Sequence, residues 1–389
     1  MLGYVFGKRR WPIALDIGTD GIKMLQMHRV GGSVSVRAAG RWRFPPAAGE
    51  DPAKWRNSAV QGVREILRKG DFHGNHVVSA LSCRQLRIKN VRLPSMSPQE
   101  LEESIRWEAR ERFGCDFAPD QLHYLPAGQV RQGNEMWDEI ILIAAPGDVV
   151  ESHLALLTEM GLCPEHIDAE PLAMFRPFER TLRRRSDEKS ISVIVDIGHS
   201  TTKVIVAKGR RILLVKSVGV GGRNFTEAVA RQLNLSHDDA AELRIQIMRE
   251  HNARSAAGPI GEDAEQDPNS ASWTVLDAVR GVVEDLAREI ALCLRYCAVT
   301  FRGLRPDQVT VVGGQAYDAA AMRLLGEQLG AECYVGQPLR GVDTSGVDLG
   351  GDRRSVLAEW AVCTGLALRD AQWRESLRKG NHERHRLPA

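Results

Sequence analysis

At 389 residues the chain is longer than a single hydrophobic core usually supports, so two lobes or several subdomains are expected. Its 52 basic and 50 acidic residues leave a formal net charge of +2, which argues against a nucleic-acid partner and against direct binding to a membrane surface. With 43% apolar residues but no run long enough to cross a bilayer, it reads as a soluble globular protein without a membrane span.

Met1 to Arg10 carries its charges after a very short apolar stretch, the wrong order for a secretory signal. A strand over Ile13–Leu15 runs into an Asp-Gly turn, a second follows from Ile22 to His28, and Gly31-Gly32 turns the chain into a third over Ser33–Trp42. Apolar residues at Val60, Val63, Ile66 and Leu67 give Ala53–Lys69 a helical stripe, and His76–Ser82 returns as a strand. Ser97-Pro98-Gln99-Glu100 then places a capping Ser, a Pro at the first helical position and an acid three residues beyond the cap, so a charged helix is expected to Arg112. Strands over Gln121–Pro126 and Glu139–Ala145, and a helix from Asp148 to Met160 stopped by Gly161, complete a small inserted α+β subdomain.

Ile167 to Met174 is expected to begin a crossover helix, and the polar run Arg183–Ser190 to form a solvated linker. The opening pattern then returns, with a strand into Asp196, strands over Lys203–Ala207 and Ile212–Val218, and a helix reaching Leu233. The stretch 251–272 is poor in large apolar residues and rich in Gly, Pro, Asp and Glu, so a flexible loop is expected there. A long amphipathic helix over Trp273–Thr300 leads to a buried strand over Gln308–Val312, a Gly-Gly turn, a helix from Ala316 to Leu329 and a last helix ending near Arg369. The seven cysteines are scattered without the paired spacings of a metal knuckle and fit a reduced, cytoplasmic setting, with Cys293 and Cys297 on one buried helix face.

The chemistry sits in a repeated pattern. Ile13-Ala14-Leu15-Asp16-Ile17-Gly18-Thr19-Asp20-Gly21-Ile22-Lys23 and Val193-Ile194-Val195-Asp196-Ile197-Gly198-His199-Ser200-Thr201-Thr202-Lys203 each end an apolar run in Asp-Ile-Gly and place a Lys seven residues past the Asp. The glycine allows a sharp turn whose successive N–H groups can point at an anion. The aspartate suits a hydrated Mg²⁺, which needs one or two carboxylates besides water and phosphate oxygens. Asp16 and Asp196 are therefore candidate metal residues acting through water, with Gly18, Thr19, Gly198, Ser200, Thr201 and Thr202 as phosphate donors and Lys23 and Lys203 as point charges. Val309 to Ala316 runs a hydrophobic strand into Gly313-Gly314-Gln315, where backbone can approach a flat ribose or purine.

These elements in this order resemble the actin-like ATPase superfamily, and within it the PilM-type family of type IV pilus assembly. The more particular signs are Ile17 to Lys23, the insertion beginning Pro94-Ser95-Met96-Ser97-Pro98-Gln99-Glu100-Leu101, Glu108-Ala109-Arg110, Gly221 to Thr226 and Ala241 to Arg244. The resemblance implies an α/β fold of the actin-like, ribonuclease-H-like kind, duplicated into two lobes with the nucleotide cleft between them. It implies ATP with Mg as cofactors, Val311 to Ala316 as the adenosine motif, and Gly221, Gly222, Glu242 and Arg244 near base and sugar. Asp168 to Ala173 is similar to the first connecting helix, which makes Glu170 the candidate catalytic residue. Gly365 to Leu368 is similar to the second, crossing the first at the hinge. The implied partners are a PilN-like bitopic membrane protein, whose short N-terminal peptide docks on the lobe bearing the insertion, and other pilus assembly components. The chain itself is then cytoplasmic and peripheral at the inner membrane, with weak or no ATPase activity.

On this reading 1–90 is the first actin-like lobe, 91–165 the inserted partner-docking subdomain and 166–186 the connecting helix and linker. The second lobe comprises 187–220 and 300–350, with a subdomain over 221–299; 351–370 returns to the first lobe, and 371–389 is a mobile tail. His199 replaces a residue that is small in the family's second phosphate turn, and Asp20 adds an acid to the first. An actin-like sugar or acid kinase would need a general base and polar sugar contacts beyond the γ-phosphate, and no further Asp-rich motif after the first phosphate turn supplies them. An FtsA-like filament-forming protein is a third reading, and self-association is compatible with the sequence.

Overall fold

The computed structural model describes residues 11–30, 33–45, 51–182, 184–257, 270–301, 303, 306, 308–350 and 356–378. In chain order the first half contains β1 Ile13–Ile17, β2 Gly21–Val30, β3 Ser33–Arg43, α1 Pro52–Lys69, β4 His76–Leu81, β5 Arg87–Pro94, α2 Pro98–Phe113, β6 Leu122–Gln132, β7 Glu135–Ala144, α3 Gly147–Glu159, β8 Cys163–Ala169 and α4 Glu170–Glu179. The second contains β9 Ile191–Ile197, β10 Thr202–Lys208, β11 Arg211–Val218, α5 Gly222–Leu233, α6 His237–Ala257, α7 Ala271–Thr300, β12 Gln308–Val312, α8 Ala319–Leu329, β13 Glu332–Val335 and α9 Ala361–Arg378.

Two five-stranded sheets share one topology. Their orders are β3-β2-β1-β4-β8 and β11-β10-β9-β12-β13, each an antiparallel meander followed by two parallel strands. Alternation along β1 and β2 puts Ile13, Leu15, Ile22 and Met24 against Val60, Val63 and Ile66 of α1, while Ala14, Leu25 and Met27 join the larger core on the opposite face. In β9, Val193, Ile194 and Val195 are all buried, as expected of a strand covered on both sides.

The third sheet, β5-β7-β6, carries the insertion. Val91, Leu93, Ile140 and Leu142 face Ile105 and Ala109 of α2, whose Ser97–Glu100 capping box forms as the sequence predicts. The other face reaches the second sheet: Ala127, Ile141 and Ile143 lie in the large core, Asn90 Nδ2 donates to the Leu213 carbonyl at 3.1 Å, and Tyr296 Oη donates to Glu139 at 3.2 Å.

Several boundaries differ from the sequence reading. The helix Asp148–Met160, expected inside the insertion, is α3, whose Leu156 and Leu157 pack with Ile13 and Leu15 in the first-sheet core. Residues 167–169 end β8, because this segment pairs in parallel with β4, and the helix starts at Glu170 with Pro171 in its first turn. α8 begins at Ala319 rather than Ala316, since Asp318 caps the Ala321 N–H. Residues 251–257 continue α6, and 370–378 continue α9 beyond Arg369, where the sequence predicts a loop and a tail; 258–269 and 379–389 lie outside the described residues. β5 and β13 were not anticipated.

The connecting helices α4 and α9 cross in intimate contact. A Cβ on Gly365 would stand 1.7 Å from the Ala173 carbonyl oxygen. Arg176 Nη1 donates to the Gly365 carbonyl at 2.7 Å, and Asp168 binds Arg176 at 2.8 Å and Arg369 at 3.1 Å. Burial alone would raise the Asp168 carboxyl; the two guanidiniums outweigh it and hold it below its ordinary value. Gly365→Ala should therefore destabilise the protein by about 3 kcal/mol, the upper range of ordinary overpacking, and an unchanged denaturation midpoint would refute the crossing.

Candidate functional site

The repeated Asp-to-Lys spacing is a hairpin register. Asp16 stands directly across from Lys23 in β1–β2, and Asp196 across from Lys203 in β9–β10. Each turn closes with one backbone bond, Gly18 N–H to the Gly21 carbonyl at 2.9 Å and Gly198 N–H to the Thr201 carbonyl at 3.0 Å. The lysines, expected as point charges for phosphate, lie beside their own aspartates, with Lys23 Nζ 3.6 Å from Asp16 and Lys203 Nζ 3.0 Å from Asp196.

Lys203 also meets Glu170, at 2.9 Å, and so sits between two carboxylates. Burial works to lower its pKa, but Asp196 and Glu170 carry it well above the ordinary lysine value. The second oxygen of Glu170 accepts the Cys83 N–H at 2.8 Å, so both ends of the candidate catalytic carboxylate are engaged. Burial raises the Asp16 carboxyl; Glu170 and Asp196 push the same way, and Lys23 and Lys203 offset only part of the effect.

The cluster thus sets the carboxylates Asp16, Glu170 and Asp196 against the ammoniums Lys23 and Lys203, leaving an excess of acid. An oxygen-only donor set of this kind fits Mg²⁺ held through water. Among the described residues no group of three or more His, Cys, Asp or Glu is arranged to hold a metal directly.

The two turns touch. Ser200 Oγ donates to Thr19 Oγ1 at 3.1 Å. Beside them the two unusual residues face each other, His199 Nδ1 lying 3.9 Å from Asp20, which also pairs with Arg43 at 3.2 Å. Asp20 is therefore matched by basic groups. Burial pulls His199 below its ordinary value, against the pull of Asp20. Thr201 is half-buried in the turn, whereas the Thr202 hydroxyl donates to the Val220 carbonyl at 2.7 Å.

Gly221 and Gly222 are glycines because α5 begins on top of the second turn. A Cβ on Gly221 would stand 2.7 Å from the His199 carbonyl, and Gly222 N–H donates to the Gly198 carbonyl at 2.9 Å. Gly313 adopts φ +89°, and a Cβ there would be 2.3 Å from Asp196 Oδ1, so the Gly-Gly turn lies directly against the second aspartate. Gly314 is exposed with open space beside it. Gln315 N–H reaches the Ile197 carbonyl at 3.3 Å, and its side chain accepts from Arg244 at 2.7 Å. Arg244 is buried, while Glu242 is exposed on α6 and outside this network.

Sequence reasoning did not anticipate Cys83, Thr226, Asp318, Tyr317 or Glu359. Tyr317 Oη bonds Glu359, whose carboxylate lies 4.0 Å from Arg41 of β3, and Gly313 N–H donates to the Ala358 carbonyl at 3.2 Å. Only Asp318 carried a local signal, as a capping acid before an Ala-rich run.

A family model described as type IV pilus assembly protein PilM matches residues 14–371. A solved PilM-PilN type IV pilus biogenesis complex contains a chain 24% identical, with 93% of this chain and 98% of that chain covered and a TM-score of 0.69. Ethanolamine utilization protein EutJ from Carboxydothermus hydrogenoformans is 15% identical over 93% of this chain and 90% of that chain, with a TM-score of 0.52. Among the described residues no helix is long and apolar enough to cross a membrane. With its duplicated sheets and crossing helices, the chain has an actin-like fold and belongs to the type IV pilus assembly protein PilM family.

Proposed function

We propose that this chain is a Mg-ATP-binding scaffold of type IV pilus assembly, drawn to the inner membrane by the N-terminal peptide of a PilN-like bitopic protein. The observation that carries the nucleotide part is the convergence of both Asp-Gly hairpins and the Gly313 turn on one acid-rich cluster. Asp16 and Asp196 hold the cation through water. The backbone N–H groups of the two turns, with Thr19, Ser200 and Thr201, orient the phosphates, and Gly313-Gly314-Gln315 admit the adenosine. Bound Mg²⁺ would screen the triphosphate from the carboxylates beneath it. The partner part is supported by family membership and by the fold shared with the PilM chain of the PilM-PilN complex.

Slow or absent turnover fits the same geometry. Glu170 gives one oxygen to the Lys203 ammonium and the other to the Cys83 N–H, and both contacts compete for the lone pairs with which it would act as a base toward water. Its role is to fix the buried lysine.

Asp196→Asn keeps the shape packed against Gly313 and should lower Mg-ATP affinity by about tenfold or more, the scale of one strong charged contact. Calorimetry showing native affinity would remove the clamp. Glu170→Gln, which keeps an oxygen facing Lys203, should lower the melting temperature and change any phosphate release from ATP by less than about tenfold, whereas a drop of about 100-fold with the melting temperature unchanged, the ordinary contribution of a general base, would make Glu170 catalytic. A synthetic peptide covering the cytoplasmic N-terminus of the PilN-like partner should bind the full chain in fluorescence anisotropy. No saturable binding, with and without Mg-ATP, would overturn the recruitment.

A further inference from the structure

Arg244 projects from α6 with 4% of its surface exposed, and its guanidinium reaches four residues in two segments, the start of α5 and the turn before α8. Nη1 donates to the Gly222 carbonyl and to Thr226 Oγ1, both at 3.1 Å. Nη2 donates to Gln315 Oε1 at 2.7 Å and lies 3.5 Å from Asp318 Oδ2. The guanidinium carbon stands 5.3 Å from the centroid of the Phe225 ring, within cation–π range. Over 237–250 the fully buried residues of α6 are Ala240 and Arg244, with Leu243 and Ile247 partly buried against the large core, so this cation is the one charged group that α6 buries there.

Two of these partners continue into the second turn. Gly222 N–H donates to the Gly198 carbonyl at 2.9 Å, and Gln315 N–H to the Ile197 carbonyl at 3.3 Å. A Cβ on Gly222 would stand 2.5 Å from the Gln315 side chain, so the two routes are packed against each other. A planar fork is needed to serve both, and an ammonium cannot make these bonds in parallel.

We infer that Arg244 is a positioning residue for the cleft: acting through Gly222 and Gln315, it sets the Gly198–Thr201 turn against the Gly313–Gln315 turn and couples α6 to both. The inference rests on the nucleotide reading above and departs from it in giving Arg244 no ligand contact. Occupancy of the cleft is then sensed at α6, and a shift of α6 alters the cleft.

The test uses the full chain with Arg244→Lys and Arg244→Gln, following hydrogen exchange without ligand, melting temperature and Mg-ATP affinity. The expected result is faster exchange confined to 197–201, 313–318 and α6, with affinity lowered about tenfold, inside the usual range of coupling between sites. Lysine should recover less than half of the lost protection. Native exchange at both turns together with lost affinity would make Arg244 a direct ligand contact and overturn the inference. Faster exchange spread evenly over both five-stranded sheets would overturn it as well, by making the residue a general stabiliser. Should the native chain bind no Mg-ATP, the nucleotide reading falls while the exchange pattern still upholds or overturns the positioning role. If neither variant folds, Gln315→Ala cuts one route; faster exchange on α6 and at 197–201 supports the inference, and no change at either overturns it.

Discussion

The buried ammonium of Lys203, held between Asp196 and Glu170, is the interaction on which the site depends. Asp196 and Lys203 belong to the second hairpin, while Glu170 opens α4 directly after the last strand of the first sheet. One cation therefore ties the Asp-Gly hairpin of one half to the connecting helix of the other. Removing a single partner would leave an unmatched charge in a largely buried site, which is far more costly than losing a partner in an exposed pair. The arrangement fixes position more than it adds stability, and position is what a cleft built from two sheets requires.

A second constraint lies behind that lysine. At Gly365 and Ala173 the crossing helices pack backbone to backbone, and no side chain separates them. Asp168, Arg176 and Arg369 match one another's charges, and Arg176 also satisfies the buried Gly365 carbonyl at the crossing. Close approach there leaves little room for the two helices to slide past each other, and the hydroxyl contact between Thr19 and Ser200 is a second point at which the halves meet. The inserted sheet also bridges the halves, because Asn90 and Glu139 reach β11 and α7.

Much of the fold was legible because duplication writes itself into sequence twice. The Asp-to-Lys spacing appears in each copy, and in each it proves to be cross-strand register, a local property of a hairpin with a four-residue turn. Helices with caps, such as α2, were readable for the same reason. The misplaced features share the opposite character. α3 carries an ordinary amphipathic pattern that fits either the insertion or the first core, and β8 reads as helix until its parallel pairing with β4 is known.

The amino-acid order alone determined the two hairpins, the acids at their ends, the Gly-Gly turn and the actin-like order of elements, since each depends on residues within a few positions of one another. Tertiary structure alone decided what those acids meet. Glu170 meets Lys203 and Cys83 from 33 and 87 positions away, and Arg244 meets Gln315 from 71, so their engagement could not be read from any window of sequence. Charge interactions inside a protein follow distance and burial, and both are set only when the sheets and the crossing helices have packed.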